Sequence, residues 1–208
     1  MKRVTLSLFL IGVCLTMVQA QSFEGSITAT HSLQPGLQTV YTIKGDKAVQ
    51  VPQGPGLADV KVFSDVAANA YSLVVVYPGT TQVSSYSLVG SSRGVISPQI
   101  LFTNVAATGA QKMIDGYSCE EYSGEVDGVP FTAWVSEDLA SVNLKAHVTP
   151  QTFEQLPYAV IPGVSGLVLS FTSTYAATNQ AFGVALSVNA HQVDAATVAA
   201  PAATIVVD

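Results

Sequence analysis

Residues 111–139 read QKMIDGYSCEEYSGEVDGVPFTAWVSEDL, and they form the most specific segment of the chain. Seven of the fourteen carboxylates fall inside it, so an acidic site would be sought there first. The segment reads as a β-hairpin. Residues 117–124 and 129–136 each alternate polar with larger side chains, and Asp127-Gly128 stands between them. Asp-Gly favours a type I′ turn, whose two central residues both need φ > 0. With that pair at the centre, Val126 faces Val129, Gly124 faces Phe131 and Tyr122 faces Ala133. The register puts Tyr122, Val126, Val129, Phe131, Ala133 and Val135 on one face, the expected core side. Cys119, Glu121, Ser123, Thr132 and Trp134 share the other. A turn displaced by one residue would scramble this partition.

Gly116-Tyr117, Cys119, Tyr122, Asp127-Gly128, Trp134-Val135 and Asp138-Leu139 resemble the signature of a secreted bacterial family, domain-of-unknown-function family 4412. Two further stretches, 23–27 (FEGSI) and 41–47 (YTIKGDK), are similar to its pattern. The resemblance implies a β-rich fold like that of the LolA and LolB lipoprotein carriers, an antiparallel sheet curled around an apolar face as a half-barrel. It implies no reaction.

Residues 1–20 read as an export signal: Lys2 and Arg3, an apolar run over 4–18, and the small-residue cleavage pattern Val18-Gln19-Ala20. Cys14 follows Val13 rather than the small residue that lipidation wants. The expected mature chain is one β-rich domain over 21–194 with an Ala-rich tail over 195–208. It holds six basic and fourteen acidic side chains, a net charge of about −8. So acidic a chain carries no electrostatic footprint for nucleic acid and is not drawn to anionic lipid surfaces. No later stretch approaches the ~18 continuous apolar residues of a spanning helix, so no stable membrane insertion is expected. The expected location is exported, periplasmic or extracellular. Without Cys14, Cys119 has no partner for a disulfide, and a lone thiol is most often a buried small hydrophobe.

Turn signals recur along the rest of the chain, as in an antiparallel meander or barrel. Strands are expected over 22–30, 40–44, 48–51, 60–66, 71–77, 83–89 and 99–105, then over 167–174 and 183–191. The second and third flank a turn at Gly45-Asp46. The nearly unbroken apolar run 73–76 suits a strand covered on both faces. Helices are expected at two places: after Ser136 as N-cap, and over 149–156, where Thr149 precedes Pro150. The Ala-rich end reads as loose.

Chemistry-bearing patterns are sparse. Gly90-Ser91-Ser92-Arg93-Gly94 fits G-x-S-x-G, but Val95-Ile96-Ser97-Pro98 opens no helix behind it, as a nucleophile elbow requires. His31, His147 and His191 are isolated, with no second ligand at metal spacing. Asp115, Glu120, Glu121, Glu125 and Asp127 form an acidic cluster, yet alternation sends Glu120 and Glu121 to opposite faces and no calcium-loop pattern appears. The reading is therefore non-enzymatic, with no catalytic residues, metal or cofactor. Its candidate ligand-contacting residues are Tyr117, Cys119, Glu121 and Trp134. The expected function is an exported binding protein for a hydrophobic or lipid-like ligand held in a curled sheet. The alternative is an envelope structural module with a packed core and a protein partner.

Overall fold

The computed structural model describes residues 22–57, 59–76, 83–89, 100–142, 144–147, 159–202 and 205–207. The protein is mainly β. Its strands are β1 (Glu24–His31), β2 (Gln38–Lys44), β3 (Lys47–Gln53), β4 (Asp59–Asp65), β5 (Ala70–Val76) and β6 (Val83–Val89), then β7 (Phe102–Ile114), β8 (Tyr117–Val126), β9 (Val129–Ser136), β10 (Leu167–Tyr175), β11 (Gln180–Ala190) and β12 (Ile205–Val207). They form one open sheet in the order β12-β6-β5-β4-β3-β2-β1-β11-β10-β9-β8-β7. Two meanders are thus stitched together where β1 pairs with β11, with Ile27 opposite Val188. Each strand runs antiparallel to its neighbour except β12, which lies parallel to β6. The fold class expected from the sequence, mainly β with a single antiparallel sheet and one or two short helices, is the one observed.

Helical structure among the described residues is limited to α1 (Leu144–His147) and the 3-10 turns Glu137–Leu139 and Ala195–Val198. Ser136 does occupy the N-cap position of the first turn, but its side chain makes no capping hydrogen bond. Its hydroxyl is buried instead. A single three-residue turn gives such a cap little helix to support. The helix expected over 149–156 and the G-x-S-x-G stretch lie outside the described residues.

The β8–β9 register is the expected one: Tyr122 faces Ala133, Gly124 faces Phe131 and Val126 faces Val129. Asp127 and Gly128 have φ of 51° and 78°, as a type I′ turn demands. A second Asp-Gly turn precedes it, with Asp115 at 49° and Gly116 at 83°. It joins β8 to β7, which runs on to Ile114 rather than stopping near 105. Residues 106–110 are small and carry little strand signal. Asn104 and Gly109, both at positive φ, mark the two stretches where the β7–β8 register shifts. Such bulges at an outermost strand blunt it against pairing with another chain. Gly166, at φ 123°, lets β10 begin hard against the end of β9, since a Cβ there would lie 2.8 Å from the Ser136 carbonyl carbon.

The second meander is strongly curled. Asp115 Oδ2, in the β7–β8 turn, accepts a 3.1 Å hydrogen bond from the backbone N–H of Val188 on β11. On a flat sheet β8 and β11 would stand about 14 Å apart, three strand spacings. Side chains on the inner face converge accordingly. Phe131 and Phe171 stack at 5.1 Å, Phe102 meets both edge-on at 5.5 and 6.5 Å, and Phe182 follows at 6.1 Å. These rings join Ile27, Tyr41, Ile43, Val135, Leu144, Leu167 and Leu186 in the main core.

The sheet is also covered on its outer face. Val49 and Phe63, directly opposite each other on β3 and β4, pack with Val74, Val193 and Val198 in a second cluster. The described part of the Ala-rich tail is therefore not loose. It crosses the outer face, buries Val198 in its 3-10 turn, and adds β12 beside β6. Its first residues are pinned. Lys44 Nζ donates to Glu24 Oε1 and to the Val193 carbonyl, while the Val193 N–H donates to the same carboxylate, each at 2.6 Å.

Candidate functional site

The four residues singled out from the hairpin lie along one side of β8 and β9. Glu121 and Trp134 stand opposite each other across β8 and β9 on the outer face. Both are already engaged. Lys112, reaching over from β7, holds its ammonium 4.0 Å from the centre of the Trp134 ring, a cation–π contact. Thr108 donates a 2.7 Å hydrogen bond to Glu121 Oε2. The ring face that a ligand would stack on is thus covered by the protein's own lysine.

Cys119, two residues before Glu121 on β8 and opposite Lys112, is only 1% exposed, enclosed in the main core. Burial raises its thiol pKa, with a smaller opposing effect from a backbone hydrogen bond at Ile114. A thiol both enclosed and protonated is a poor nucleophile. Cys119 should stay unlabelled by a thiol-reactive alkylating agent in the native protein and label fully in denaturant, as read by peptide mass. Rapid native labelling would contradict its burial.

Tyr117 opens β8, and its carbonyl accepts a hydrogen bond from the Cys119 thiol. It lines an open groove of about 650 Å³ with Phe23, Leu139, Asp138 and His191. The other carboxylates of the hairpin are held singly: Glu120 accepts from the Tyr122 hydroxyl, and Glu125 from Thr103 and Asn104. Among the described residues, no three His, Cys, Asp or Glu side chains come together to hold a metal ion.

A different group emerges on the inner face of the first meander. Tyr41 on β2 faces Gln50 on β3, and Gln50 faces Val62 on β4. Tyr41 is 0% and Gln50 1% exposed. The Tyr41 hydroxyl and both polar atoms of the Gln50 amide are buried without a hydrogen-bond partner. Burial pushes the Tyr41 phenol far above its ordinary value, so it stays protonated. One row away, Ser64 Oγ lies 3.0 Å from His147 Nδ1, a buried pair satisfied by the protein itself. Burial lowers the His147 pKa, opposed in part by a hydrogen bond at the Gly45 backbone and by the charge of Asp46. A hollow of about 90 Å³ adjoins His147, lined by Ile43, Gly45, Asp46, Val66, Ser141 and Val142.

Sequence reasoning assigned no role to Tyr41, Gln50 or Ser64, and read His147 as an isolated histidine. Alternation along 48–52 points Gln50 away from Val49 and Val51, so it reads as a solvent-facing position. The tail reverses that reading by covering the two valines on the outer face.

Neither a protein-family model nor a curated protein sequence matches the chain. Two solved structures are similar to it at low identity: PNGF-II in a P21 crystal form, with TM-score 0.44 and 14% identity over 88% of this chain, and PNGF-II in a C2 form, with TM-score 0.41 and 13% identity over 90%. In both cases the chain spans 31% of the other's length.

Proposed function

We propose that this chain is an exported, non-enzymatic binding protein that holds a hydrophobic or amphipathic ligand in the hollow of its curled sheet. The observation that supports it is the Tyr41–Gln50 pair, three polar atoms buried on the inner face with no protein partner. Leaving a buried polar group unpaired costs about 1–3 kcal/mol. Two such residues set face to face are what a site does when a guest supplies the missing hydrogen bonds.

The second reading is an envelope interaction module with a solid core. The aromatic set Phe102, Phe131, Phe171 and Phe182 favours it, because those rings fill the inner face of the second meander. Native mass spectrometry of the exported protein, purified without detergent, separates the two. A mass excess that disappears on denaturation and proves to be a lipid is the expected result. A bare polypeptide mass that persists after incubation with envelope lipids would sink the carrier reading and leave the module.

A further inference from the structure

We infer that the polar end of the ligand is an uncharged group that both donates and accepts hydrogen bonds, such as a hydroxyl beside an ester or an amide, seated between Tyr41 and Gln50. This rests on the binding reading above and narrows it to a ligand class.

The first argument is the inventory of the pair. A glutamine amide offers two N–H donors and a carbonyl acceptor, and a protonated tyrosine offers one O–H donor and an acceptor oxygen. All three heavy atoms are unpartnered. A guest that only accepts leaves the Gln50 carbonyl bare, and one that only donates strands the amide N–H groups. The guest must do both.

The second argument is charge. The cross-strand row through the pair runs Val188, Ile27, Tyr41, Gln50, Val62, Leu73. The neighbouring row runs Ile43, Ala48, Ser64, Tyr71. Neither contains a charged residue. The nearest histidine, His147, is taken up by Ser64 and pushed by burial toward its neutral form, and the lysines whose side chains the structure describes are all on the opposite, outer face. Lys44 is tied to Glu24 and Lys47 to Asp65. Lys61 stands opposite Val74, a member of the outer cluster, and Lys112 covers Trp134. A carboxylate or phosphate seated between Tyr41 and Gln50 would be a desolvated anion without a cation, which is far costlier than a desolvated neutral group.

The third argument is contrast. Ser64 and His147, equally buried one row away, satisfy each other. The chain thus supplies a partner for the polar groups of Ser64 and His147 and none for those of Tyr41 and Gln50.

The test is a native mass-spectrometric titration of the whole chain with three probes that share an oleoyl chain: monoolein, oleate, and dioleoylphosphatidylglycerol. The expected result is that monoolein binds at least about tenfold tighter than either anion, and that Gln50→Leu erases most of that preference. Thermal unfolding of the same variant is expected at or above the wild-type midpoint, since the leucine removes unpaired polar atoms. Tyr41→Phe, which deletes one oxygen, gives the same readout should Gln50→Leu fold poorly. If no probe binds, the binding reading itself falls. If the anions bind as tightly as monoolein, ligand binding stands and the neutral-head inference is overturned. If either variant lowers the unfolding midpoint and leaves probe discrimination unchanged, an internal water satisfies the pair and the inference is equally overturned.

Discussion

Phe171→Ala should lower the stability of the protein by about 3–5 kcal/mol, the range for truncating a buried aromatic ring. The ring is 1% exposed and lies between three others, stacked on Phe131 at 5.1 Å, edge-on to Phe102 at 6.5 Å and beside Phe182 at 6.1 Å. Those partners come from β7, β9 and β11, so the truncation removes a contact shared by four strands of the curled meander. Strands pinned at both ends by turns and ladders collapse poorly into the space left behind, which puts the cost in the upper part of the range. For a chain of this size the melting temperature should fall by about 10 °C. Tyr175→Ala is the control. Tyr175 continues the same stack against Phe182 at 4.5 Å but is 41% exposed, so its truncation should cost about 1 kcal/mol or less. Equal losses for the two variants would show that the rings are not a packed core.

The contrast between legible and hidden parts of this fold follows from which residues carry a local constraint. Asp127-Gly128 was legible because a two-residue turn with both φ positive admits few sequences, and the whole β8–β9 register hangs on it. Asp115-Gly116 carries the same constraint, but the strand before it contains Ala106, Ala107, Thr108, Gly109 and Ala110, whose side chains give no alternation to read. Position in the sheet was hidden more deeply. Nothing in the β1 or β11 sequences says that they pair with each other and join two meanders. Long-range pairing is settled by packing, to which neighbours in sequence contribute little.

The candidate site shows the same division. Glu121 opposite Trp134 follows from the hairpin register alone. That Lys112 covers the ring does not, because it depends on the bulges that set β7 against β8. Alternation failed on β3 for a physical reason: it identifies the buried face only when the other face meets water. Here Ala48 joins the main core and Val49 the outer cluster, so both faces are covered and Gln50 is enclosed as well.

The outer cluster makes the tail the second place where a single change should have a large effect. Val198→Asp should detach residues 193–207 from the sheet while the main core stays folded. Val193 and Val198 bury about 1.5–3 kcal/mol of apolar surface each, the value of a fully enclosed valine, and an aspartate at 198 would have to desolvate its charge among valines and Phe63. The tail then gains more from water than from docking. Limited proteolysis should cut the variant after about residue 193 at protease levels that leave the wild type intact, with the remaining fragment still cooperative on heating. Loss of all cooperative unfolding would mean that the tail is part of the core rather than a strap laid on it. The Glu24 carboxylate gives the strap a pH dependence of definite sign. Lys44 and the Val193 N–H hold its pKa below the ordinary glutamate value of 4.5. A carboxyl whose folded pKa is depressed contributes its stabilisation fully above the unfolded value and loses it as the pH falls through the folded one. Wild-type protein should therefore become tail-sensitive to protease as the solution is acidified below about pH 4.5. Glu24→Gln should show part of that sensitivity already at neutral pH and little further change on acidification, because the charge that Lys44 and Val193 share is gone. A wild-type cleavage pattern that does not change with pH would remove Glu24 from the account and leave the two valines as the tail's hold on the sheet.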